Sequence, residues 1–140
     1  MADVAYGLYA SPAYLEQHGL PDFATGCTGQ RAVMLHEAPA RDPLTQWMRA
    51  IAPNARVLLR TNSIWSQLAA AESGEALAAL PRVLVDRRLT LRRLETPKPG
   101  PVLAVRLGVH SDLRKAPRIR AFIDFAVREL EQRAAELNPR

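Results

Sequence analysis

Proline frames this chain. Pro12, Pro43 and Pro117 each open a helix-like apolar pattern, the first two directly behind Ser11 and Asp42. Proline suits the first helical position because the N–H it lacks would be unpaired there anyway. Ser11 and Asp42 add side-chain oxygens that cap the free amides of the first turn. Between these starts lie short extended runs. A chain that alternates such runs with short helices builds an α/β domain, and a largely parallel central sheet is expected.

Val4, Tyr6, Leu8 and Tyr9 mark a strand over 3–10, and the helix after it stops at Gly19 and Pro21. DFATGCTGQ, residues 22–30, reads as a loop. Arg31–Leu35 is a second strand. The Pro43 helix presents Leu44, Trp47, Met48 and Ile51 on one face and ends before Pro53. Arg56–Leu59 is a third strand. Asn62 or Ser63 caps the next helix, which carries Ile64, Trp65, Leu68, Ala69 and Ala71 and ends near Gly74. Ala76–Leu80 fits a fully buried strand, and by periodicity alone equally a helix. A stub of helix follows from Pro81 to Val85, then a brief strand at Leu89–Leu91 and a turn at KPGP, 98–101. Val102–Leu107 is the longest strand candidate. From Pro117 onward, Ile119, Phe122, Ile123, Ala126, Val127, Leu130, Ala134 and Leu137 form one helical stripe that nothing nearby obviously covers. On its flank Arg120 and Asp124 are spaced to pair.

With 140 residues, 48% of them apolar and 24% charged, the chain is the size and make-up of one globular domain. No apolar run is long enough to span a bilayer, and no basic residue precedes the first apolar stretch as in a secretory signal. The single cysteine, Cys27, has no internal disulfide partner, so a reducing cytoplasm is expected. The net charge of +5 raises the question of nucleic acid. The basic residues are scattered as pairs, Arg87-Arg88, Arg92-Arg93 and Arg114-Lys115, without interleaved aromatics, and read as solvated faces.

Catalytic patterns are missing from the sequence, and no enzyme, metal or cofactor is expected. His18, His36 and His110 lack ligand spacing, and there is no G-x-S-x-G elbow or Walker loop. TGCTGQ at 25–30 is a flexible loop rather than a phosphate cradle. RTNSIW, 60–65, is the informative polar cluster. It joins a strand end to a helix start, where backbone amides and the Asn62 and Ser63 side chains favour an anion. Simple capping is the plainer role for the same residues, and one residue can do both.

Three stretches in register resemble the effector-binding domain of LysR-type transcriptional regulators of bacteria: LYASPAYLEQHGLP at 8–21, RTNSIWSQLAAAESGEALAALP at 60–81 and VHSDLRKAPRIRAFIDF at 109–125. The resemblance implies a periplasmic-binding-protein-like type II fold, in which two α/β subdomains close over a small-molecule effector. Residues 1–10 and 101–110 would be its crossover strands, 11–100 the second subdomain, and 111–140 a C-terminal helix belonging to the first. By the same resemblance the rest of the first subdomain, the linker helix and the helix-turn-helix are expected to be missing. The chain is then a truncated sensing module that does not itself bind operator DNA. Thr61, Asn62 and Ser63 would face a small, anionic effector, with Arg60 able to clamp its carboxylate and Val109 and His110 on the hinge side. The alternative is an interaction or dimerisation module, docking through its C-terminal stripe on an intact regulator or on itself. The family's tight turn reads Gly-x-Gly, whereas here it is Gly74-Glu75-Ala76, so Ala76 must take ordinary backbone angles or strain the turn.

Overall fold

A computed structural model describes residues 2–139. Its spine is strand β1, Ala2–Ala10. Helix α1 (Pro12–His18) follows, with the Ser11 side chain accepting from the Tyr14 N–H and Pro12 in the first turn. Then come β2 (Arg31–Met34), α2 (Pro43–Ile51), β3 (Arg56–Arg60) and α3 (Ile64–Glu72). The second half holds β4 (Ala78–Pro81), α4 (Arg82–Val85), β5 (Arg92–Leu94), β6 (Val102–Val105), α5 (Pro117–Gln132) and α6 (Ala134–Leu137).

The sheet differs from the expected one. β1 pairs with β4, β5 and β6, and all three pairings are antiparallel. Among the described residues parallel pairing is confined to β2 with β3 and to a bridge between Ala32 and Leu77. The reason is that β4 and the β5–β6 segment both return against a strand laid down before any helix. β5 and β6 follow one another along the same edge of β1, meeting Leu8–Ala10 and then Ala2–Ala5. Between them the 98–101 turn presses on the middle of β1. The Tyr6 N–H donates to the Pro101 carbonyl at 3.0 Å, and a methyl on Gly100 would collide with the Tyr6 carbonyl oxygen. The Trp47 indole N–H fastens the same turn to α2 by donating to the Lys98 carbonyl at 3.0 Å.

Alternation along the strands divides the core between two faces. Leu8, Ala10, Ala32, Leu77 and Ala79 point toward Tyr14 of α1 and Trp47, Met48 and Ile51 of α2. Tyr9, Val33, Ala78 and Leu80 point toward Leu68 and Ala71 of α3 and Val85 of α4. Residues 76–80 are apolar throughout because both faces are covered, which settles the strand-or-helix choice in favour of a strand. Gly74 alone takes the left-handed angle of the preceding turn, at φ +82°, and Ala76 does not, so the Gly-x-Ala turn carries no strain at its alanine.

Other boundaries shift. The strand expected at 89–91 forms at 92–94, where it reaches β1, and Leu89 is left in solvent. β6 stops at Val105, short of the expected 107. The long C-terminal helix breaks at Arg133 into α5 and α6. Arg120 and Asp124 form no ion pair among the described residues; instead the Arg128 Nε–H donates to the Asp124 carbonyl at 3.2 Å. The 22–30 loop contains a short 3-10 turn at Phe23–Thr25 capped by Asp22.

One polar knot closes the α4 side. Asp86 accepts from the Tyr9 hydroxyl at 2.5 Å and from Arg82 Nε and the Arg93 guanidinium at 3.0 Å each. Arg82 also donates to the Pro139 carbonyl at 2.6 Å, tying the chain end to α4. Burial, and then the Asp86 hydrogen bond, raise the Tyr9 pKa well above its ordinary value of 10.0. A raised folded-state pKa means stability that is whole below about pH 10 and falls as pH climbs toward the folded value. We expect alkaline denaturation melts to show that fall, and Tyr9→Phe to flatten it while costing about 1–3 kcal/mol at neutral pH. Gly100→Ala is expected to lower stability by about 2 kcal/mol or more, since the clash is with backbone; a denaturant midpoint reads it directly.

Candidate functional site

β3 turns into α3 through four residues, Arg60 to Ser63. The Thr61 N–H donates to the Met34 carbonyl at 3.0 Å, one rung beyond the β2–β3 ladder. Asn62 Oδ1 accepts from the His36 N–H at 3.0 Å, which fastens the segment after β2 to the junction. Thr61 Oγ1 accepts from the Ser63 N–H at 3.1 Å, and Ser63 Oγ from the Ser66 N–H at 3.3 Å. Ser63, not Asn62, is therefore the cap of α3. Beneath them buried Gln67 donates from Nε2 to the Thr61 carbonyl at 3.0 Å.

This arrangement uses the acceptors and leaves donors over. Among the described residues, the Asn62 amide nitrogen and the Arg60 guanidinium have no hydrogen-bond partner, and Arg60 is exposed at the strand end. With the amides of the first α3 turn they make the junction a place of positive potential.

An apolar groove of about 390 Å³ opens where α3 begins. Ile64 and Trp65 of α3 form one wall, Val83 and Leu84 of α4 another, and Val4 and Leu103 belong to the β1–β6 side. Trp65 is 67% exposed, far from a core tryptophan. Sequence reasoning counted it with the helix's apolar face. The residues of α3 that turn inward are Gln67, Leu68 and Ala71, and Trp65 lies off that stripe. A second pocket, about 10 Å³, lies beneath the strand ends and is lined by Leu35, Thr45, Met48 and Gln67. Thr45 Oγ1 is buried there without a hydrogen-bond partner. Nothing in the sequence pattern singles Thr45 out.

The other two candidates lie elsewhere. Val109 lines a cavity of about 230 Å³ against Ile123, Val127 and Leu130 of α5. His110 caps a 3-10 turn, with Nδ1 accepting from the Asp112 N–H at 3.4 Å, and is exposed. No hydrogen bond joins either to the 60–63 junction among the described residues.

Cys27 is fully buried, and its thiol donates to the Ile51 carbonyl at 3.4 Å. Burial first, and then Asp22, raise its pKa, so it stays a protonated packing group rather than a nucleophile. Among the described residues no three His, Cys, Asp or Glu side chains gather as a metal would require. No helix among them is long and apolar enough to cross a membrane.

The fold has clear relatives. The regulatory domain of CrgA, a LysR-type transcriptional regulator from Neisseria meningitidis, is 25% identical, with a TM-score of 0.68 over 91% of this chain and 66% of that one. A second structure of CrgA is 23% identical at a TM-score of 0.65, with 91% of this chain and 45% of that chain covered. The regulatory domain of AphB from Vibrio vulnificus is 16% identical at a TM-score of 0.59, with 92% and 66% covered, and attests the fold alone. The chain thus spans just under two thirds of these regulatory domains, a mixed α/β fold of the periplasmic-binding-protein-like type II kind. Comparison with curated protein sequences gives no match. The family model for the LysR substrate binding domain matches residues 1–131, and the chain belongs to that family.

Proposed function

We propose that this chain is the effector-sensing part of a LysR-type transcriptional regulator, and that it binds a small molecule with a compact apolar body and one anionic group. The groove of about 390 Å³ beside the α3 N-terminus carries the reading. Its size falls in the ordinary range of small-molecule sites, roughly 300–1,000 Å³. The apolar body packs against Trp65 and Leu103. Its carboxylate meets the first amides of α3, the free Asn62 amide nitrogen and the Arg60 guanidinium, which grips such a group bidentately. Thr61 and Ser63 hold the junction in shape through the hydrogen bonds of their hydroxyls.

In this reading residues 1–10 and 101–110 are the crossover strands, 11–100 the second subdomain, and 111–140 moves with the first. An effector that touches both subdomains favours one angle between them, and only its difference in affinity between angles is transmitted. Val109, which lines the α5 cavity, and the exposed His110 would meet the effector from the hinge side. Operator binding is assigned to no residue of this chain, and its activity is regulatory rather than catalytic.

A thermal-shift panel of small aromatic and aliphatic carboxylates tests the proposal. A true effector at about 100 times its Kd stabilises the chain by about 2.7 kcal/mol, read as a rise in Tm. Arg60→Ala with Asn62→Leu is expected to weaken that ligand about tenfold or more, while the ligand-free Tm stays close to the parent's. A ligand that binds the double variant and Trp65→Ala as tightly as the parent would place the site elsewhere.

A further inference from the structure

We propose that the cleft between α4 and β5 binds a free α-amino acid with an aliphatic side chain, its carboxylate on Arg93 and its ammonium on Glu95. The cleft shares no lining residue with the groove beside the α3 N-terminus, so this inference is independent of the effector reading above.

The cleft encloses about 430 Å³. That falls in the ordinary range of small-molecule sites, roughly 300–1,000 Å³. Arg82 and Val85 of α4, with Asp86 directly after them, line one side. Arg93 of β5 and Glu95 just beyond the strand line the other. Val85 and Leu91, both buried, supply the apolar part of the lining.

The balance of charge selects the ligand. Asp86 is already saturated, accepting from the Tyr9 hydroxyl, Arg82 Nε and Arg93 Nη1. Two guanidinium groups thus share one carboxylate, and one positive charge is left in excess. Glu95 supplies one negative charge, is exposed, and has no hydrogen bond or ion pair among the described residues. Arg93 and Glu95 both face the cleft, yet no ion pair joins them among the described residues. A plain anion would meet repulsion from Glu95, and a plain cation repulsion from the arginines. A small molecule with one charge of each sign answers both ends.

The Arg93 guanidinium is shaped for a carboxylate. Asp86 takes its Nη1 at 3.0 Å, and its Nε and Nη2 donate to nothing among the described residues. Those two nitrogens form the fork that grips a carboxylate with parallel hydrogen bonds. Asp86 is itself held by Tyr9 and Arg82, so Arg93 is oriented before a ligand arrives. Less side-chain freedom is then lost on binding.

Spacing narrows the class further. Arg93 and Glu95 are two positions apart, so their Cα atoms lie at most about 7 Å from each other. An ammonium and a carboxylate on one carbon fit between two such groups, whereas the distant termini of a peptide do not. The side chain of the amino acid then packs on Val85 and Leu91, which favours an aliphatic one.

The test is isothermal titration calorimetry of the full 140-residue chain with L-alanine, L-valine and L-leucine. Two analogues, 4-methylpentanoate and 3-methylbutylamine, keep the leucine skeleton but lack the ammonium or the carboxylate. Saturable binding of at least one amino acid is expected, with each analogue at least about tenfold weaker than L-leucine. E95Q, a change at an exposed residue, should weaken the amino acid about tenfold and leave 4-methylpentanoate unchanged. R93K keeps a cation beside Asp86 but loses the fork, and should weaken it by a similar factor. Far-UV circular dichroism verifies that both variants fold. R60A/N62L should leave amino-acid binding intact, which separates this cleft from the groove. No binding of any of the three at millimolar concentration overturns the proposal. So do analogues that bind as tightly as L-leucine, or an affinity indifferent to E95Q and R93K. Loss of binding in R60A/N62L overturns it as well, by moving the amino acid to the groove.

Discussion

The backbone of one strand carries most of the sheet. β1 gives one edge to β4 and the other, in sequence, to β5 and β6. A strand paired on both edges can neither slip register nor turn over without breaking all of its ladders at once. Its two faces separate the core into the α1–α2 side and the α3–α4 side. Tyr6 sits where β1 changes partners, between the pairing with β6 and that with β5, and the 98–101 turn braces it there. The β3–α3 junction is not part of this ladder. It hangs from β2, which bridges to the main sheet through Ala32 and Leu77. The candidate site therefore reaches the main sheet through β2, by way of the Val33 N–H to Leu77 carbonyl and Leu77 N–H to Arg31 carbonyl hydrogen bonds.

Charge is organised locally rather than as one field. Asp86 gathers Arg82, Arg93 and Tyr9, while Arg88 pairs with Glu72 and Arg31 with Glu75. These contacts are mostly near the surface and individually weak. Their effect is to use up arginine charge around α4, and Arg60 and the basic end of α5 are among the positive groups that no ion pair engages among the described residues.

Local chemistry was legible before the structure. Ser11 and Asp42 cap their helices as read, because capping depends on residues within one turn, and of Asn62 and Ser63 the structure selects Ser63. Strand direction was not, because it depends on where the chain returns from. The helix-by-strand alternation that suggested a parallel sheet is equally satisfied by strands returning against β1. Leu89–Leu91 was misjudged for a related reason. In LTLRRL only Leu89-Thr90-Leu91 alternates, whereas pairing with Leu8–Ala10 selects Arg92–Leu94. The junction 60–63 was readable from its cap, whereas the groove beside it needs β1, β6 and α4, brought in from distant parts of the chain. Val109 and His110, inferred through resemblance, turned out to be engaged by α5 and a local turn. The exposure of Phe122 and Phe125 could not be read from periodicity, which reveals that a helix has an apolar side but not what meets it.

β3 has a consequence for the behaviour of the protein at high concentration. Arg-Val-Leu-Leu-Arg is an edge strand whose three apolar residues are each about two-fifths exposed, and its outer edge is open. Such a segment is a template for strand stacking. If copies stacked in register, Arg56 would lie over Arg56 and Arg60 over Arg60 at about 4.8 Å, with repulsion at both ends of every rung. The two arginines thus act as gatekeepers for a strand that folding leaves uncovered. Their restraint is electrostatic, so it weakens as salt screens it.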